Sequence, residues 1–141
     1  METLYEQDYE LWAEQIANLL AAGRFDELNI KNLVEEVCDL SKRERDRLLS
    51  SLRLIVHHLL KWDYQPQKRS RSWQIIVELA RFNIKDHLRD SHSLKRYLTD
   101  KYVNQVYEIG RLDVIAETDL DMPVDCGYSI ADVWEGDVNL T

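Results

Sequence analysis

The sequence predicts an all-α protein, a mostly antiparallel bundle of about five helices with an acidic C-terminal tail, and three observations lead there. Only four glycines and two prolines interrupt 141 residues. Apolar residues recur at spacings of three and four, the period of a helix face, with no sustained alternation of the kind that marks strands. A content of 45% hydrophobic and 31% charged residues suits a globular chain, and 141 residues suffice to bury one core without metal or disulfide support.

The first helix follows from the stripe Tyr5, Tyr9, Trp12, Ile16, Leu19 and Leu20, closed by Gly23 as C-cap, over roughly residues 6 to 22. Asn29 suits the N-cap of a second helix carrying Ile30, Leu33, Val34, Val37 and Leu40. Ser41-Lys42-Arg43-Glu44 reads as a capping box that opens a third helix, whose stripe runs from Leu48 through Leu52, Ile55 and Leu59 to Trp62. Pro66 ends it, having no amide to donate and restricting Gln65. A fourth helix is expected from Ser70 or Ser72 to about Arg89. Ser91 or Ser93 then caps a fifth, from Leu94 to about Ala116. Residues 1–116 make the helical domain on this reading.

Residues 117–141 differ in kind. They hold seven acidic side chains, no lysine or arginine, and two of the four glycines, with one short helix, SIADVW, capped by Ser129. The basic stretch 42–71 has nine Lys or Arg against three acids, +6 locally in a chain of −8, so the remainder carries −14. Opposite potentials of this size attract, and the tail is expected to dock by Trp134 with its carboxylates near Arg69 or Arg71.

The successive segments YEQDYELW, GRFDELNIKNLVEEV, SKRERDRLLSSLRLIVHHLLKWDYQPQKRSRSW and DSHSLKRYL resemble the domain-of-unknown-function family numbered 29, common in cyanobacteria. The block LLKW-x-YQP…RS-x-SW carries the resemblance most specifically. The ending PVDCGYSIADVW is similar to the family's Cys-Pro-Tyr ending, with Gly127 where proline is usual. The resemblance implies an all-helical fold and no activity.

Chemistry is sparse in the pattern. Glu36 and Asp39 on the second helix and His58 on the third are the candidate catalytic set, at a seam between those helices. Carboxylates on facing helices hold divalent metals when a second acidic motif completes the set. None follows here, so a solvated acidic face is favoured and no metal or other cofactor is expected. Arg45 falls within an apolar stripe and needs a partner, Glu36 or Asp39, as a structural ion pair. Cys38 and Cys126 lack metal or redox spacing.

The stretch KWDYQPQKRSRSW sets Lys61, Trp62, Tyr64, Arg69, Arg71 and Trp73 around one proline. As a helix corner it places two indoles over the end of the core and leaves Lys61, Lys68, Arg69 and Arg71 in solvent. As a binding site it interleaves cations and rings as single-stranded nucleic acid requires, although the acidic remainder of the chain opposes a polyanion. The fourth helix has a second apolar stripe, Ile75, Leu79 and Phe82, opposite its core face, which calls for a partner, first a second copy in a homodimer. The acidic amino terminus lacks the order of a secretory signal, and no run is long and apolar enough to span a membrane, so a cytoplasmic location is expected. Together these favour a non-enzymatic, self-associating interaction or regulatory protein. A small metal-dependent enzyme at the seam and a nucleic-acid-binding module are the alternatives.

Overall fold

The computed structural model describes residues 3–140, and the fold is all-α. Six α-helices occur among the described residues: α1 (Leu4–Gln7), α2 (Tyr9–Ala21), α3 (Ile30–Tyr64), α4 (Arg71–Asp90), α5 (Asp100–Thr118) and α6 (Ile130–Glu135). The chain divides into two compact units, Met1–Lys42 and Arg43–Thr141, so the acidic tail belongs to the second unit.

In the first unit, Asp8 separates α1 from α2 and caps the latter, its Oδ1 accepting from the Leu11 amide at 3.1 Å. Helix α2 ends in a Schellman turn. Gly23, at φ +70°, donates to the Leu20 carbonyl at 3.1 Å while Arg24 donates to that of Leu19 at 3.0 Å. Glycine takes that left-handed conformation without the Cβ penalty. Trp12 and Ile16 are buried, and the Tyr5 and Trp12 rings meet edge to face at 4.5 Å. Asn29 Oδ1 accepts from the Asn32 amide at 3.3 Å, as expected of an N-cap.

The expected break at Ser41 is absent. The predicted second and third helices are one helix of 35 residues. An S-x-x-E pattern acts as a cap only where the preceding residues leave the helical conformation, and here Val37 to Leu40 do not. The run SKRERDRLL has no glycine or proline, and lysine, arginine and glutamate are strong helix formers, so a mid-helix serine costs only a fraction of a kcal/mol, about 0.5. Ile30, Val34, Val37 and Leu40, expected to face a core, are exposed.

The second unit holds the main core. From α3 come Leu48, Leu52, Ile55, Leu59 and Trp62, spaced four, three, four and three; from α4 Val77, Ala80 and Ile84; from α5 Val103, Val106, Tyr107 and Val114. Helix α5 approaches α3 closely at Gly110, where an added Cβ would stand 3.5 Å from Val56 Cγ1. Ser70 caps α4, its hydroxyl accepting from the Trp73 amide at 3.2 Å. The predicted start of the fifth helix at Leu94 is instead a 3-10 turn, His92–Tyr97, and α5 begins after Thr99.

The tail completes this core. Met122, Val133 and Val138 are buried in it, and Ser129 and Asp132 form the capping box of α6. Two cations hold its main chain. Arg81 Nε donates to the Val133 carbonyl at 2.9 Å and Nη2 to that of Gly136 at 2.8 Å; Arg111 Nε donates to the Met122 carbonyl at 3.0 Å. The anchor is therefore Val133, while Trp134 is half-buried with Lys85 Nζ 5.6 Å from its ring. Arg69 folds back on its own corner, Nε donating to the Trp62 carbonyl at 2.8 Å. The carbonyls at the C-terminal end of α6 lack intrahelical donors and so accept from a guanidinium, which sequence charge counting does not register.

Candidate binding site

The Glu36, Asp39 and His58 set has no seam to occupy, because all three lie on α3. Glu36 and His58 are 22 residues apart in the chain, the first in one compact unit and the second in the other. Within the first unit, the Glu36 carboxylate accepts from both the Tyr5 and Tyr9 hydroxyls, and this contact pushes the Tyr5 phenol up from its ordinary pKa. Asp39 is exposed. Arg45 stands beyond Glu36 and Asp39 on the same continuous helix. It pairs with its neighbour Asp46 at 3.5 Å, with its side chain only partly covered, so the predicted link between two helices is not its role. Its Nε is buried without a hydrogen-bond partner among the described residues.

His58 is buried, its Nδ1 donating to the Leu54 carbonyl at 3.0 Å. That burial lowers its pKa, with the neighbouring His57 and Lys61 adding in the same direction. His57 Nε2 lies 2.8 Å from Glu117 Oε2, and the Lys61 ammonium donates to Glu117 Oε1 at 2.8 Å. Lys61 is thus not in solvent. It is 8% exposed, with its Nζ 4.6 Å from the Trp73 ring centroid. An ammonium can be buried here because a carboxylate and a ring face replace its water. Lys61 in turn, by hydrogen bonding, lowers the Glu117 pKa. Arg53 meets Asp113 one turn earlier, Nε to Oδ2 at 2.9 Å, so two cations of the basic segment 42–71, Arg53 and Lys61, are matched by acids of α5.

Acid should weaken this cluster in two steps. His58 has its pKa lowered from 6.5 in the fold, so the unfolded chain binds the proton first and stability falls as pH drops below about 6.5. Glu117, lowered from 4.5, adds a second loss as pH falls below that value. Melting midpoints measured from pH 7 down to about pH 2.5 should show both steps, with His58→Leu removing the upper one and Glu117→Gln the lower. An upper step unchanged in His58→Leu would contradict the assignment.

The corner itself closes the core. Trp62 is buried, the Arg69 guanidinium carbon lies 5.0 Å from its ring centroid, and Trp73 is half-buried. Arg71 and Tyr64 are exposed. Behind the corner, the last turn of α3, the middle of α5 and the loop before α6 form an open cavity of 380 Å³ lined by Asp63, Tyr64, Tyr107, Asp125 and Tyr128 among others. The Tyr128 hydroxyl donates to Asp63 Oδ2 at 2.6 Å and that of Tyr107 to the Pro123 carbonyl at 2.5 Å. Of these, the sequence reading singled out Tyr64 as a site residue. Asp63 lay inside the same block and Asp125 and Tyr128 in the tail segment that carries the resemblance, but only the fold joins them.

Among the described residues no cluster of three or more His, Cys, Asp or Glu side chains is arranged to hold a metal ion, and no helix is long and apolar enough to cross a membrane. Ile75, Leu79 and Phe82 are 39%, 55% and 58% exposed on α4, opposite the buried Val77, Ala80 and Ile84.

Among curated proteins and among solved structures, none matches the chain. A family model does, over residues 4–138. By that match, which spans nearly all of its length, the chain belongs to the family described as domain of unknown function DUF29.

Proposed function

We propose that this protein is a non-catalytic, self-associating helical interaction protein, and that two copies pair through α4. The observation that carries the reading is the second apolar face of that helix. Arg71, Ile75, Leu79, Phe82 and Asp86 follow one another at spacings of four, four, three and four, so an apolar centre has a cation one turn before it and a carboxylate one turn after. Two such helices laid antiparallel about a two-fold axis between Glu78 and Leu79 bring Ile75 of one opposite Phe82 of the other. Arg71 then stands opposite Asp86 at both ends. A surface that complements itself in this way is what an isologous dimer requires. Asp86 meets the exposed Arg89 at 3.4 Å, a pair that exchanges at little cost.

Light scattering tests this. The native chain is expected at twice its formula mass, Leu79→Lys and Asp86→Arg at the monomer mass with unchanged helical signal, and the charge exchange Arg71→Asp with Asp86→Arg back at the dimer mass. A monomeric native chain would overturn the reading, and so would an exchange variant that stays apart while both singles remain folded.

A further inference from the structure

We infer that the cavity behind the tryptophan corner binds a small organic cation, an alkylammonium or alkylguanidinium ion, with its charge at Asp63 and Asp125 and its stem along the tyrosine rings. The inference is independent of self-association, since every residue it uses lies in α3, α5 and the loop before α6.

Three features define the ligand's chemistry. The cavity, 380 Å³, presents two carboxylates, and among the described residues that line it none is basic. That balance rejects anions and leaves a neutral apolar guest with unmatched charge beside it. The aromatic walls are the second feature. Tyr128, half-buried, and Tyr64, exposed, offer their rings to the cavity, while the buried Tyr107 backs Tyr128, with ring centroids 6.4 Å apart at 59°. Ring faces attract cations that carry little hydration, which organic cations do and small divalent metals do not. The third is what the hydroxyls do. Tyr107 and Tyr128 spend theirs on the Pro123 carbonyl and Asp63, which fixes both rings in place and leaves them little capacity to donate to a guest. Burial raises the pKa of both phenols, so they remain neutral and the negative charge of the cavity stays on the carboxylates.

The site also gives a use to residues that packing leaves unexplained. Asp125 is exposed at the rim, and Tyr64, a large ring at the end of a helix, is 45% exposed where a core role would bury it.

The probes are butylammonium, butylguanidinium and tetramethylammonium, titrated against the full-length chain and followed by tyrosine and tryptophan fluorescence. Salt of about 0.15 M shortens the Debye length to about 8 Å and so suppresses diffuse attraction to an acidic protein. At least one probe should bind saturably. Asp125→Asn should weaken it about tenfold or more, and Tyr64→Leu severalfold. Glu10→Gln, the same charge change on α2 outside the cavity, should leave it unchanged. Asp63→Asn also removes the acceptor of Tyr128, so Asp125→Asn, whose side chain only lines the cavity, is the deciding variant. Absence of saturable binding by all three probes would overturn the inference, and equal weakening by Glu10→Gln and Asp125→Asn would do the same.

Discussion

Deleting residues 119–141 is expected to abolish the cooperative melting transition of the second unit. The segment contributes Met122, Val133 and Val138 to the core. Each buried aliphatic side chain of this size is worth about 1.5–3 kcal/mol, and deletion also exposes the surfaces of α4 and α5 that they cover. A total near 5–8 kcal/mol on that scale rivals the whole stability of a typical domain, about 5–15 kcal/mol. The Arg81 and Arg111 guanidiniums would lose their carbonyl partners at the same time. Calorimetry of the truncated chain should show no sharp transition, or one lowered by tens of degrees. The point variant Val133→Asp, which places a carboxylate in the core, should approach the same result. A truncated chain that melts within a few degrees of the native one would mean that the tail is an ornament on a self-sufficient core.

Trp62→Ala is the second large effect, expected to cost about 3–5 kcal/mol as a large buried side chain truncated within a packed core. Trp62 is 5% exposed and also supports the folded-back Arg69. Trp73→Ala should cost less, about 2 kcal/mol, because its ring is half-buried, although losing it also uncovers the Lys61 ammonium. Denaturant unfolding of both variants measures the order. If Trp62→Ala left stability within about 0.5 kcal/mol, the surface range, the corner would be a recognition surface and not a closure of the core.

What the sequence determined by itself is local. Helical periodicity, the scarcity of glycine and proline, and the end signals at Gly23, Asn29, Pro66, Ser70 and Ser129 each depend on a few neighbouring residues, and the helices begin or end at these places. Where the same kind of signal misled, at Ser41, the local pattern was compatible with both a helix start and a helix interior. The strong helix formers on either side decided for the interior. Tertiary structure decided everything that rests on distant partners. Lys61 reads as a surface cation until Glu117, 56 positions later in the chain, supplies its counter-charge and Trp73 its ring face. Trp134 is the conspicuous anchor in the tail, yet Val133 takes the buried position. The orientation of a six-residue helix is set by Arg81 gripping its last carbonyls and Asp100 accepting from its first amide. The cavity lined by Asp63, Tyr64, Tyr107, Asp125 and Tyr128 has no linear signature at all, because its lining is divided among α3, α5 and the tail loop. Burial and electrostatic pairing depend on what is near in space, and a one-dimensional pattern records only what is near along the chain.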